Sequence, residues 1–234
     1  MLGCTGNFTD QSADPNTTSQ ELYIHGYVSG RLFKSGKNAE GEGLPITVAA
    51  SFLDGLVLSL TPFHNSCNYR SAVVYGYAQV VEDEEESLYA MKKITDNLLP
   101  ERWERSRVPP SSTELKSTSI LRIRIQSVCI LFLFSFSLSL ILPFYFPPLT
   151  CYQASAKIRT GGPSEDRNDL KDKELVKKVW TGVVPFWGTW GEPVSGEENG
   201  RDEVEGYIES WRMRETGKAR GYAFEAIEMD GKSK

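Results

Sequence analysis

The stretch from Val128 to Phe146 holds 19 residues without a charge, and no other part of the chain restricts the possible folds so sharply. A helix needs roughly 17 to 25 apolar residues to cross a bilayer, so by length the run is a transmembrane candidate. Its details argue otherwise. Pro143 falls inside the span, Pro147 and Pro148 close it, no Lys/Arg cluster sits directly at either edge, and β-branched or aromatic residues abound. An ordinary core strand fits no better, because the segment has no polar face and exceeds the usual strand length.

The genetic code offers a third reading, held here as a hypothesis: the run is a translated intron. Phe, Leu, Ser and Pro have pyrimidine-rich codons and dominate Val128 to Gln153, which contains no Gly, Ala, Asp, Glu, Lys or Arg. Val128-Cys129 can be encoded by GTATGT, a 5′ splice consensus. Leu149-Thr150 can be encoded by a CTAAC-like branch site, and Tyr152-Gln153 can end in CAG, a 3′ splice site. Removing these 26 codons, 78 nucleotides, keeps the reading frame and leaves "SILRIRIQSASAKIRTGGP", in which the β alternation continues. A mature message that retains all 26 codons would contradict the idea.

With 234 residues, 40% of them hydrophobic, the chain can build one large core, and one domain with a tail is expected. The net charge of −5 comes with scattered Lys and Arg, so there is no basic stripe for nucleic acid. Cys4 and Cys67 lie far apart, and Cys129 and Cys151 fall inside the apolar run, so neither a disulfide framework nor a C-x-x-C pair emerges. The N-terminus lacks the basic and apolar regions of a secretory signal. A cytoplasmic setting is expected, with a single-pass membrane protein as the alternative if 128–153 is genuine. Asn7-Phe8-Thr9 and Asn16-Thr17-Thr18 read as chance sequons in a polar lead.

Along the chain, "ELYIHGYVSGRLFKSG" starts as a strand and runs into a small-residue loop. "LPITVAASFLDGLVLSLTP" reads as two strands joined by a type I′ hairpin at Asp54-Gly55. "YRSAVVYGYAQVVED" is a long strand whose Gly76 marks a bulge or a close backbone approach. "DEEESLYAMKKITDNLLPERW" is an amphipathic helix, with acids in its first turn, a stripe of Leu88, Met91, Ile94 and Leu98, and Pro100 as its stop. "STSILRIRIQS" alternates strictly, Leu121, Ile123 and Ile125 against Arg122, Arg124 and Gln126, as a half-buried strand should. "ASAKIR" is a short strand, and "LKDKELVKKVWTGVVPFWG" a short helix leading into another. From Ser195 the chain is charged and poorly periodic except for "VEGYIESW", so residues 195–234 are expected as a peripheral extension to a domain of 1–194. Strands outnumber helices and no βαβ rhythm appears, which favours a mainly β, α+β antiparallel barrel with a few covering helices.

Taken together and with the run set aside, "LYIHGYVSGRLFK", "ITVAASFLDGLVLSLTPFHNSCNYRSAVVYGYAQVVEDEEE", "ASAKIRTGGP" and "WTGVVP" resemble the pyridoxamine 5′-phosphate oxidase-like, FMN-binding split-barrel superfamily. The flavin-nucleotide-binding, nitroimidazole-resistance-like subgroup is the most similar. The resemblance implies a homodimer holding FMN at the subunit interface. It also implies a helix and opening strands ahead of Leu22, so the barrel is expected to be incomplete at its N-terminus.

Residue by residue, the resemblance points to His25, Ser29 and Arg31. Arg31 suits a phosphate because its fork donates two parallel charge-assisted hydrogen bonds, and Gly26, Ser29 and Gly30 leave backbone N–H groups beside it; alternatively, Arg31 caps a surface turn. Tyr69, Arg70 and Ser71 match the segment that meets the flavin from the next strand, and Trp180 the late aromatic near the cofactor. Lys157 and Arg159 alternate on one strand face and either line the cofactor site or are solvated, with equal weight. His25 and His64, the only histidines, do not make a metal site without matched ligands. No catalytic side chain stands out, since the flavin itself carries the redox chemistry. The expectation is a flavin-dependent oxidoreductase acting on an unidentified small molecule. A non-catalytic flavin-binding module remains the alternative.

Overall fold

The structure, a computed structural model, describes residues 2–14, 17–18, 20–125, 127–129, 150–152, 154–201 and 203–229. The transmembrane and translated-intron readings fall mainly on 130–149, and one sequon on Asn16, all outside the described residues. Among the described residues no helix is long and apolar enough to cross a membrane.

Nine strands are described: β1 (Gly3–Gly6), β2 (Glu21–Tyr27), β3 (Leu44–Leu58), β4 (Ser66–Val80), β5 (Thr118–Ile125), β6 (Ser127–Cys129), β7 (Thr150–Tyr152), β8 (Ala154–Arg159) and β9 (Gly182–Pro185). Seven form one sheet in the order β1-β2-β5-β4-β3-β9, with β8 also paired to β4; β6 and β7 pair separately. Five helices accompany them: α1 (Arg31–Lys37), α2 (Glu84–Leu98), α3 (Ser112–Ser117), α4 (Lys173–Lys178) and α5 (Gly206–Glu228). This is the antiparallel α+β architecture of a split barrel that the strand pattern predicts. The chain divides into two compact units, residues 1–48 with 73–155, and 49–72 with 156–234.

In the first unit the alternation of β5 does more than expected, because both of its faces are covered. Leu121 and Ile123 pack with Ile24, Phe33 and Ala78, while Ile120, on the opposite face, packs with Tyr23, Ala90 and Ile94. Full burial of side chains this size stabilises by roughly 1.5–3 kcal/mol each. The second face is buried because α2 lies over it. Asp83 caps this helix by accepting from the Glu85 and Glu86 N–H groups, as the acidic first turn predicts.

The buried positions of α2 are Glu86, Ala90 and Ile94, and Leu98 is exposed. The stripe is therefore turned from the expected Leu88-Met91-Ile94-Leu98, and the cause is Glu86. Its carboxylate accepts from Arg122 Nη1 at 3.0 Å on both oxygens and from the Tyr23 hydroxyl at 2.9 Å. A carboxylate exposed by only 6% needs such donors, since an unpaired buried charge is very costly. Burial first, and then the Glu86 hydrogen bond, push the Tyr23 hydroxyl pKa far above its ordinary value.

Four local expectations are corrected. Asp54-Gly55 makes no hairpin: β3 runs straight through it, with the Asp54 side chain buried and Gly55 opposite Pro185 of β9. A Cβ on Gly55 would meet the Val184 carbonyl oxygen at 3.0 Å, so the glycine serves close strand approach rather than a turn. The polar lead contains β1, which pairs antiparallel with β2 from Gly3↔Ile24 to Gly6↔Glu21. The loop expected after β2 is only Val28–Gly30, for α1 starts at Arg31 and buries Phe33 and Gly36. In the second unit, the poorly periodic tail forms the 23-residue α5, which buries the small residues Ala223 and Ala226. The Ala226 carbonyl accepts from Gly161 N–H at 2.7 Å, and Trp190 packs on Trp211 with ring centroids 4.8 Å apart.

Gly76 is a close-approach glycine, as its position in a long strand suggests. A Cβ there would lie 2.2 Å from the Arg124 carbonyl oxygen on β5, and backbone at that distance cannot give way cheaply. Gly76→Ala is therefore expected to destabilise the protein by about 1–3 kcal/mol, read as a lowered denaturant midpoint; an unchanged midpoint would show that β4 and β5 are not in this contact.

Candidate functional site

In the second unit, β4 brings Asn68, Tyr69, Arg70 and Ser71 together with β8 and the middle of β3. Arg70 donates from Nε and Nη2 to the two carboxylate oxygens of Asp54, at 3.1 and 2.8 Å. Asp54 is almost fully buried, whereas the Arg70 side chain is about one third exposed. The guanidinium carbon lies 3.7 Å from the Tyr222 ring centroid and 5.4 Å from that of Phe52, a stacked geometry that the planar cation favours. The Asp54 hydrogen bonds raise the Arg70 pKa further. Beside this pair opens a cavity of about 540 Å³ whose walls include Phe52, Asp54, Arg70, Phe186, Trp187 and Trp190. Its rings suit an apolar or planar guest, and Arg70 is the cation at its wall.

Two further contacts tie β8 to β4. Arg159 Nη1 donates to Asn68 Oδ1 at 2.6 Å, and Asn68 Nδ2 donates to the Gly161 carbonyl at 3.0 Å, so the fully buried Asn68 is satisfied on both sides. The Ser71 hydroxyl donates to the Lys157 carbonyl at 3.3 Å, and the Lys157 ammonium stands 5.8 Å from the Tyr69 ring centroid. The alternation of Lys157 and Arg159 thus separates two roles. Arg159 is half-buried and engaged by Asn68, while Lys157 remains exposed beside an aromatic ring.

The other expected residues fall elsewhere. His25, Ser29 and Arg31 belong to the first unit. His25 lines a cavity of about 370 Å³ with Met91, Trp103 and Arg107. Ser29 is exposed in the turn after β2, and Arg31 is exposed at the first position of α1. Among the described residues Arg31 makes no hydrogen bond or ion pair through its side chain. The backbone N–H groups expected beside it are in part already used: Gly30 N–H donates to the Tyr27 carbonyl at 2.8 Å, and Gly26 lies within the β2–β5 ladder opposite Ser119. What this loop offers an anion is a hydroxyl and a free guanidinium. Trp180 is 64% exposed between α4 and β9, against Gly182, where a Cβ would meet its ring at 2.9 Å. Among the described residues no group of three or more His, Cys, Asp and Glu could hold a metal ion.

Sequence reasoning missed Asp54, Asn68 and Tyr222. Asp54 looked like half of a turn dipeptide, and Tyr222 sits in a tail with weak periodicity. Only Asn68 carried a signal: a polar residue inside a long strand is either exposed or held by a partner.

A seven-stranded antiparallel sheet of this order, with few helices, defines the split-barrel class. Residues 15–130 match the family model described as pyridoxamine 5′-phosphate oxidase, and this match supports the pyridoxamine 5′-phosphate oxidase-like superfamily for the chain. It is similar in structure to the flavocytochrome Anf3 from Azotobacter vinelandii, at 27% identity and TM-score 0.59, over 81% of this chain and 72% of that one. It is also similar to the FAD and heme binding protein from Mycobacterium smegmatis, at 22% identity and TM-score 0.60, over 81% and 76%. No curated protein matches the chain.

The Asp54–Arg70 pair supports a stability test. Arg70→Met removes the cation bonded to the buried Asp54 carboxylate, leaving Asp54 desolvated and without that partner. Removing one partner of a hydrogen bond to a buried polar group costs about 1–3 kcal/mol. Asp54→Asn combined with Arg70→Met is expected to recover part of that loss, because no charge is then stranded. Urea unfolding of the two variants measures the difference; equal losses would mean that Asp54 does not depend on Arg70.

Proposed function

We propose that this protein binds FMN and passes electrons between it and a small molecule, working as a dimer of two copies. The family-model match and likeness to a flavocytochrome at 27% identity support a flavin. The choice of FMN over FAD, and the dimer, extend the family resemblance. The observation that carries the reading lies in this chain's own residues: within the matched stretch, Arg31 is an exposed guanidinium with no protein partner among the described residues, one residue beyond a glycine and two beyond the Ser29 hydroxyl. A fork of N–H donors left free beside a hydroxyl fits a terminal phosphate, which accepts paired charge-assisted hydrogen bonds.

The donor set therefore fits the cofactor's phosphate, with Ser29 and Arg31 as its ligands. When bound, the isoalloxazine supplies the redox chemistry, and the protein's part is to position it and set its surroundings. Among the described residues of the second unit, Lys157 stands exposed beside Tyr69, and Trp180 is exposed as well. Arg70 and Arg159 are committed to Asp54 and Asn68, so their first task is to hold strands together.

Titration of the protein with FMN, followed by flavin fluorescence, tests the reading. Arg31→Ala is expected to weaken binding by about tenfold or more, the equivalent of one charge-assisted hydrogen bond, with an unfolding midpoint unchanged because its side chain bonds none of the described residues. Binding that is absent from the parent chain, or unaffected by the substitution, would refute it. Oxidation of a reduced nicotinamide by the flavin-loaded protein would establish turnover; inertness towards all donors offered would leave it a flavin-binding module.

A further inference from the structure

The register of β4 points to a conclusion that neither the family nor the flavin reading requires: residues 128–153 are an in-phase insertion into a single β-strand, and a form of this chain lacking them exists and folds with β5 and β8 fused. Both strands pair with β4. On β5, Ile125 stands opposite Gly76, and the ladder runs without a slip to Leu121 opposite Val80. Asn68 lies eight residues before Gly76 on β4. With 128–153 left out, the residue eight positions beyond Ile125 is Arg159, and Arg159 is the side chain bonded to Asn68. The same count puts Ala156 opposite Ser71, and the Ser71 hydroxyl bonds the carbonyl of the very next residue, Lys157, at 3.3 Å. Two segments separated by 26 residues of sequence thus sit on one strand as though those residues were not there.

One property of the segment fits this arrangement. Its ends are together: β6 and β7 pair antiparallel, with Ser127 opposite Tyr152 and Cys129 opposite Thr150. Residues opposite each other in such a ladder are about 5 Å apart, close to the separation of neighbours along a chain. Joining Ser127 to Ala154 therefore needs little movement of the strands on either side.

Three proteins test it: the full chain, a chain without 128–153, and a chain without 128–152, which keeps Gln153 and so shifts β8 by one residue. The 26-residue deletion is expected to unfold cooperatively at a midpoint no lower than the full chain's. The 25-residue deletion is expected to melt lower than both, because a one-residue slip turns Lys157 and Arg159 to the wrong faces and breaks the Asn68 contact. If the two deletions melt alike, or the 26-residue deletion does not fold, the in-phase claim is overturned. Amplification of mature transcripts across codons 127 to 154 is expected to give a product 78 nucleotides shorter than the full reading frame; only the longer product would overturn the existence of the shorter form. None of these outcomes depends on whether the protein binds FMN.

Discussion

The hydrogen-bonding edges of β4 are the constraint on which the rest of the structure depends. This strand is 15 residues long with buried positions at Asn68, Gly76 and Ala78, and a buried backbone must find partners along its whole length. One edge meets β3, and the other is shared by β5 and β8. Gly76 exists so that the β5 backbone can come close enough to complete its part, and Asn68 with Arg159 fixes the register of the remainder. Any change in chain length between β5 and β8 must respect that edge, so an insertion survives there only if it leaves and re-enters the sheet in phase.

The same logic explains which parts of the fold were legible in the sequence. β5 declared itself because its apolar and polar residues alternate strictly, and α2 because an acidic first turn, an Asp cap and a terminal proline are all local signals. What the pattern could not show was that Arg122 and Glu86 are each other's reason for burial. Two charged residues 36 positions apart look solvated until the helix is laid on the sheet, and the rotation of the α2 stripe follows from that pair alone. β1 was hidden for a related reason: Gly3 and Gly6 carry no β signal, and the strand depends on its β2 partner.

Asp54-Gly55 shows how a correct local rule gives way to tertiary structure. The dipeptide suits a tight turn in isolation, yet the carboxylate gains a bidentate arginine by staying extended and the glycine gains a close neighbour in β9. Local turn preference amounts to little beside a satisfied, buried ion pair and a continued ladder. α5 reverses the case. Its buried residues are alanines among glycine, charged and aromatic side chains, so its periodicity is faint, and a helix that packs through small residues leaves little hydrophobic trace in its sequence.

For the candidate site, the sequence identified the residue types but could not sort their duties. Arginines at 31, 70 and 159 all read as possible cofactor contacts. The structure distinguishes them by what they already hold: Arg70 neutralises a buried carboxylate and stacks on Tyr222, and Arg159 satisfies a buried amide, whereas Arg31 bonds no side chain among the described residues. A cation that stabilises the fold and a cation that awaits a ligand differ in their partners rather than in their chemistry, and partners are set by topology. Under the proposed role, Arg31 is the residue at which loss of binding and loss of stability can be separated. At Arg70 or Arg159, weakened flavin binding would be inseparable from a loosened sheet.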